Sequence, residues 1–216
     1  MTSRLLMLLA CALLSACASV RHQPLSSTAA PLLENKSLAF TTGTKPDFTA
    51  MTAGNAMFGL IGAIEAVSSG NALIRDNAVP DPASGISAEL AKMVHAQYRI
   101  ADRKLGVVST AAGVDELAKL HPDVDLLLDV RTANWSLIYF PADWTHYRVI
   151  YSAQARLINL KQREVLAEHF CEQVPEQTAD APTYDELVGN GAAGLKQALS
   201  AAGDKCLEEF ASLFPG

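Results

Sequence analysis

From Tyr147 onward the chain alternates with period two. Tyr147, Val149, Tyr151, Ala153, Ala155 and Leu157 fall on one side, and Arg148, Gln154 and Arg156 on the other. Successive side chains of a strand point to opposite faces, so this pattern reads as a long strand buried on one face. Asn159 to Arg163 makes a polar turn. Glu164 to Val174 then returns as a second strand, with Val165, Ala167 and His169 alternating against Leu166, Glu168 and Phe170. Two long strands around a short polar turn read as a hairpin, and its apolar face has to be covered by another layer.

The rest of the chain supplies candidates for that layer. Thr183-Tyr-Asp-Glu186 is a capping box, the start signal of a helix. The helix expected after it buries Leu187, Leu195, Leu199, Ala202, Cys206, Phe210 and Leu213, and Pro215 ends it. Gly189, Gly191 and Gly194 weaken its first turns, so it starts late or bends. Asp81-Pro82 starts another helix, with Asp as N-cap and Pro in the first turn. Ile86, Leu90, Met93, Val94 and Tyr98 follow at helical spacing. Asp115 to Leu120 is a short helix stopped by Pro122. Lys36 to Thr42 and Leu105 to Ser109 are strand candidates, and Val124 to Val130 is an apolar run expected of a central strand covered on both faces. This order predicts an α/β fold: a mixed sheet of about five strands with helices packed against it.

The first residues set the compartment. One basic residue, Arg4, precedes an apolar run from Leu5 to Leu14. The run is about half of the roughly 20 residues needed to span a bilayer, so it reads as a signal peptide. Leu14-Ser15-Ala16-Cys17 resembles the lipobox of bacterial lipoproteins. The resemblance implies cleavage before Cys17 and lipid, palmitate included, on that cysteine. The alternative is an ordinary signal peptide cut near Ala18, with Cys17 incidental. Two or more acyl chains hold a protein stably at a membrane. Ala18 after the cysteine favours the outer membrane, with the domain on its periplasmic face. The expected organisation is a signal peptide over 1–16, a lipidated Cys17 with a flexible tether over 17–34, and a periplasmic domain over 35–216. The sixteen Ser-, Ala- and Pro-rich residues 18–33 would reach at most roughly 55 Å. Behind the lipobox, the element order is similar to outer-membrane lipoproteins with a TolB-amino-terminal or curli-secretion type of periplasmic domain. That resemblance implies an accessory role in envelope assembly or export, and it matches no functional residue position by position.

The net charge is −6, and −7 once Arg4 leaves with the signal peptide. Nucleic-acid binding needs a positive footprint, so it is not expected. Of the four cysteines, Cys11 lies in the signal peptide and Cys17 would carry lipid. Cys171 and Cys206 remain, an even pair for an oxidising compartment, and are expected to form a disulfide; two buried free thiols are the alternative.

No nucleophile elbow, phosphate loop or His-Glu-x-x-His motif is present. His169-x-Cys171 has a spacing that two metal ligands on one strand face could use, but no second such pair accompanies it, and neither metal nor cofactor is expected. Asp123 and Asp125 read as polar residues at a strand entry, and Asp129 as a candidate buried, paired carboxylate. The aromatic residues are more telling. Trp135, Tyr139, Phe140, Trp144, Tyr147 and Tyr151 lie within 17 residues. Tyr147 and Tyr151 belong to the apolar strand face, whereas Trp135, Phe140 and Trp144 cluster near a Pro141 turn and are candidates for an interaction surface.

A second candidate is the apolar segment 51–67, whose one charge is Glu65. It reads as an internal helix over the sheet, as a self-association surface, or as a segment dipping into the membrane. Gly59 with Ala63, and Gly62 with Ala66, would let another helix approach closely. Together these features predict a non-enzymatic, lipid-anchored binding or accessory protein of the outer membrane, with an envelope protein or a second copy as partner. The alternative is a periplasmic hydrolase acting on cell-wall or lipid material.

Overall fold

The computed structural model describes residues 22–103, 107–109 and 111–215. The expected signal peptide, the lipobox-like segment with Cys17, and residues 105 and 106 of one expected strand lie outside the described residues.

The hairpin dominates the molecule. It is longer than the alternation suggests and it has a third arm. Strands β5 (Leu126–Phe140), β6 (Asp143–Asn159) and β7 (Glu164–Gln173) run antiparallel. β1 (Ser37–Gly43) joins β5 in parallel at its start, and β2 (Thr49–Met51) joins β5 in parallel near its end. Short β3 (Asp102–Arg103) and β4 (Val107–Ser109) pair with β1. The sheet is mixed, with the order β3-β1-β5-β6-β7 along its main path.

Helices cover one face. α3 (Pro82–Gln97) and α5 (Tyr184–Ala211) bury Ile86, Leu90, Val94, Leu195, Leu199 and Phe210 against the hairpin. The expected α/β architecture is therefore the observed one. On the opposite face α4 (Val114–Leu120) seats Leu117 over Leu127 and Ile158. Asp81 caps α3 by accepting from Ala83 N at 3.0 Å. The capping box on α5 is complete. The glycines act as expected: the helix is interrupted from Gly189 to Ala192, where Asn190, Gly191 and Ala192 have positive φ. Cys171 on β7 and Cys206 on α5 are joined by a disulfide, with Cα atoms 5.5 Å apart.

Two boundaries differ from expectation. β5 does not stop at Val130. A bulge between Thr132 and Asn134 shifts the register, so Val130 and Trp135 face the same core despite their opposite parity. One extra residue breaks the period-two signal while the strand itself continues. The tether also ends earlier than expected. Gln23 exchanges both backbone hydrogen bonds with Glu168 of β7, and Leu25 N donates to Leu213 O at 2.8 Å. Leu25 and Leu33 are buried. Two isolated leucines carry no periodicity, so their burial is a tertiary fact. The packed domain thus includes residues from Gln23 onward.

Candidate interaction surface

The segment after β2 becomes two helices, α1 (Ala53–Ala56) and α2 (Gly59–Asp76). Thr52 caps α1, its hydroxyl accepting from Asn55 N at 3.1 Å. α2 lies back along β2, burying Gly62, Ala66, Gly70 and Ile74. Its main contacts are with β2 and α1, at the margin of the helical layer.

This packing decides the fate of the small residues. A Cβ on Gly62 would fall 1.7 Å from the Asn55 carbonyl oxygen, and one on Gly70 would fall 2.2 Å from that of Phe48. Gly62 and Ala66 are thus consumed by contact within the chain, not offered to a second helix. Ala63 is half-buried beside them. Gly59 is exposed at φ +54 with open space around its Cβ position, so it serves the turn between the helices. The internal-helix reading holds for this inner face only. Gly70→Ala is expected to lose roughly 1–3 kcal/mol through overpacking against strand backbone. Urea unfolding would measure it, and an unchanged midpoint would contradict the close approach.

Among the described residues nothing covers the outer face. Met57, Phe58, Leu60, Ile61 and Ile64 are 74%, 70%, 78%, 75% and 64% exposed. Met57 and Phe58 lie on the turn between the helices, and the other three line the first turns of α2. No charged residue occurs between Asp47 and Glu65. Monomeric domains rarely leave so large an apolar cluster in water. The sequence held this signal in the run Met57 to Ile64, but the small residues drew attention to the wrong face.

The aromatic candidates separate. Trp135 is buried, not a surface residue: its ring stands edge-on to Phe48, and its Nε1 donates to Pro46 O at 2.9 Å. Phe140 is buried as well, under the Arg148 guanidinium at 5.3 Å. The bulge turns Trp135 inward, and β6 shelters Phe140. Trp144 alone of the three remains outside, 58% exposed beside the hairpin tip. Met51 pairs with Ile138 just before that tip, so α1 and the start of α2 emerge at the same end of the sheet.

The polar candidates are satisfied within the fold. Asp129 is the buried, paired carboxylate that the sequence suggested, accepting from Arg131 and Arg156. Asp125 accepts from Ser37 N and Oγ, both at 3.0 Å; the backbone N–H first of all holds its pKa below the ordinary carboxylate value. His169 Nε2 meets Glu209 and its Nδ1 meets His22, while Cys171 is in the disulfide. Among the described residues no group of three or more His, Cys, Asp or Glu is placed to hold a metal. Asp143, Thr145 and His146 adjoin at the hairpin tip, but hydroxyl and carboxylate both address His146 Nδ1. A relay needs the nucleophile on the other ring nitrogen. A cavity of about 360 Å³ opens between β6 and α5, with Phe140, Val149, Leu187 and Ala202 on its walls and Arg148 and Lys205 at hand. No helix of the described residues is long and apolar enough to cross a membrane.

No family model matches the sequence, and no curated protein matches it. Solved structures of similar shape include a DUF330 family protein from Xanthomonas campestris, at 10% identity and TM-score 0.39, covering 90% of each chain. A PelC dodecamer subunit from Paraburkholderia phytofirmans is similar at 13% identity and TM-score 0.39, over 92% of this chain and 98% of that one. Lipoprotein GNA1162 from Neisseria meningitidis is similar at 14% identity and TM-score 0.28, over 79% and 99%. At these values no residue of this chain takes a role from theirs.

Proposed function

We propose that the protein is an outer-membrane lipoprotein, anchored through lipid on Cys17, whose periplasmic α/β domain is a non-enzymatic binding module in envelope assembly or transport. The observation that carries the binding reading is the exposed apolar cluster Met57, Phe58, Leu60, Ile61 and Ile64. The lipobox supports the anchor. The mechanism is positional: lipid fixes the molecule at the membrane, and the short reach from Cys17 to Gln23 keeps the domain close to it. The hairpin and β2 hold the cluster out at one end of the sheet, where a partner gains by covering it.

Two measurements test the two halves. The full-length chain should take up labelled palmitate and sediment with the outer membrane, and Cys17→Ser should abolish both. A wild-type chain without label would overturn the anchor. A photo-crosslinking residue in place of Leu60 should give protein adducts in living cells, whereas one in place of Arg75, at the far end of α2, should give none. Equal yields at both positions would overturn the binding surface.

A further inference from the structure

We propose that the apolar cluster on α2 is a self-association surface whose occupant is the same cluster on a second copy of this chain. The inference rests on the binding reading above and names its partner.

The first argument is area. Five large apolar side chains, about three-quarters exposed on average, present on the order of 600 Å². A stable interface takes roughly 800 Å² from each partner. The cluster alone therefore nearly supplies one side of a two-fold interface, and the rim residues of α1 and α2 can supply the rest.

The second argument is charge. A two-fold contact sets a patch against itself, so the patch must be complementary to its own copy. A charged patch would repel itself; this one has no ionisable residue from Phe48 to Ile64. The same fact weighs against a lipid surface. Helices that lie in membrane interfaces carry Lys and Arg on their flanks. On α2 the first ionisable residue is the exposed Glu65, the nearest downstream cation is Arg75, and the whole chain is −6. Anionic headgroups would repel it.

The third argument is placement. The anchored segment enters at Gln23 on the outer side of β7, whereas α2 rests on β2, which pairs with β5. β6 and β7 thus lie between the entry point and the β5 edge that receives β2. Copies anchored in one membrane also meet at a high effective concentration, which favours a contact of modest area.

Cysteine crosslinking of the full-length chain in membranes tests the proposal. Ile61→Cys, oxidised with copper-phenanthroline, should yield a disulfide-linked dimer at least about tenfold above Arg75→Cys, and Leu60→Glu with Ile64→Glu in the Ile61→Cys background should reduce that yield by about thirtyfold. At a dilution where the wild type is dissociated, the melting temperature of the purified double variant should stay within about a degree of wild type, because both side chains are exposed in the single chain. Equal yields at 61 and 75, or no effect of the glutamates, would overturn self-association.

Two further outcomes separate the occupants. A photo-crosslinker at Ile61 that captures a different protein and never a second copy would overturn the proposal while sparing the binding reading; no adduct of any protein would overturn both. Binding of the Cys17→Ser chain to phosphatidylethanolamine–phosphatidylglycerol vesicles, lost with the two glutamates, would assign the cluster to lipid and also overturn the proposal.

Discussion

Asp129→Asn is expected to destabilise the domain by about 3–5 kcal/mol, because it removes a buried carboxylate that balances two guanidinium groups. Arg131 Nε donates to Asp129 Oδ1 and Oδ2 at 2.9 and 2.8 Å, and Arg156 Nη2 donates to Oδ2 at 2.5 Å. The Asp129 side chain is fully enclosed and the two arginine side chains nearly so. Arg131 also donates to Ala111 O, and Arg156 to Ala112 O at 3.0 Å. The cluster therefore ties β5 and β6 to the segment leading into α4. Asn preserves the shape and leaves two cations facing a neutral amide. For a domain of this size the loss corresponds to roughly 10 °C in melting temperature. Urea unfolding would measure it directly. The triple replacement Asp129→Leu, Arg131→Met, Arg156→Met should recover most of the loss, since an apolar set can substitute for a buried ionic one. An Asp129→Asn protein within about 1 kcal/mol of wild type would show that the cluster is not what holds these elements together.

Removing the disulfide is the second large effect. Cys171 and Cys206 are separated by 35 residues, and both are fully buried. Opening a loop of that length is expected to lower stability by roughly 3–4 kcal/mol in the chain-entropy account. Alanine at both positions is the cleaner probe, because serine would add buried hydroxyls. The bond joins β7 to α5, so its loss frees the helix that covers the hairpin. The melting temperature of wild type in dithiothreitol should approach that of the double variant. Identical melting of oxidised and reduced wild type would contradict the bond's contribution.

Much of the fold was legible because it is written in local periods. The alternation from Tyr147 announces β6, the Thr183 capping box starts α5, and Asp81-Pro82 starts α3. Cys171 and Cys206 were paired from compartment and number alone, and the disulfide joins them. The misreadings occur where a local rule meets a single exception. The bulge after Thr132 changes the parity of β5, which turned Trp135 from a surface candidate into a core residue. Burial of Leu25 and Leu33 recruits the end of the expected tether into the domain.

The sequence by itself determined the α/β class and the starts of α3 and α5, and it singled out Cys171 and Cys206 as the expected pair, because each follows from spacing between residues near in the chain or from residue type. It also marked the segment 51–67 as apolar, with Glu65 as its one charge. Only the tertiary structure decided which side of that segment was already covered. α1, β2 and α2 close on one another through Gly62 and Gly70, and that contact takes the small residues inward and leaves the large apolar ones outside. The physical reason is that a helix has one inner face, and which face that is depends on what packs against it. A period of 3.6 says that a helix has faces and does not say which of them meets the rest of the chain.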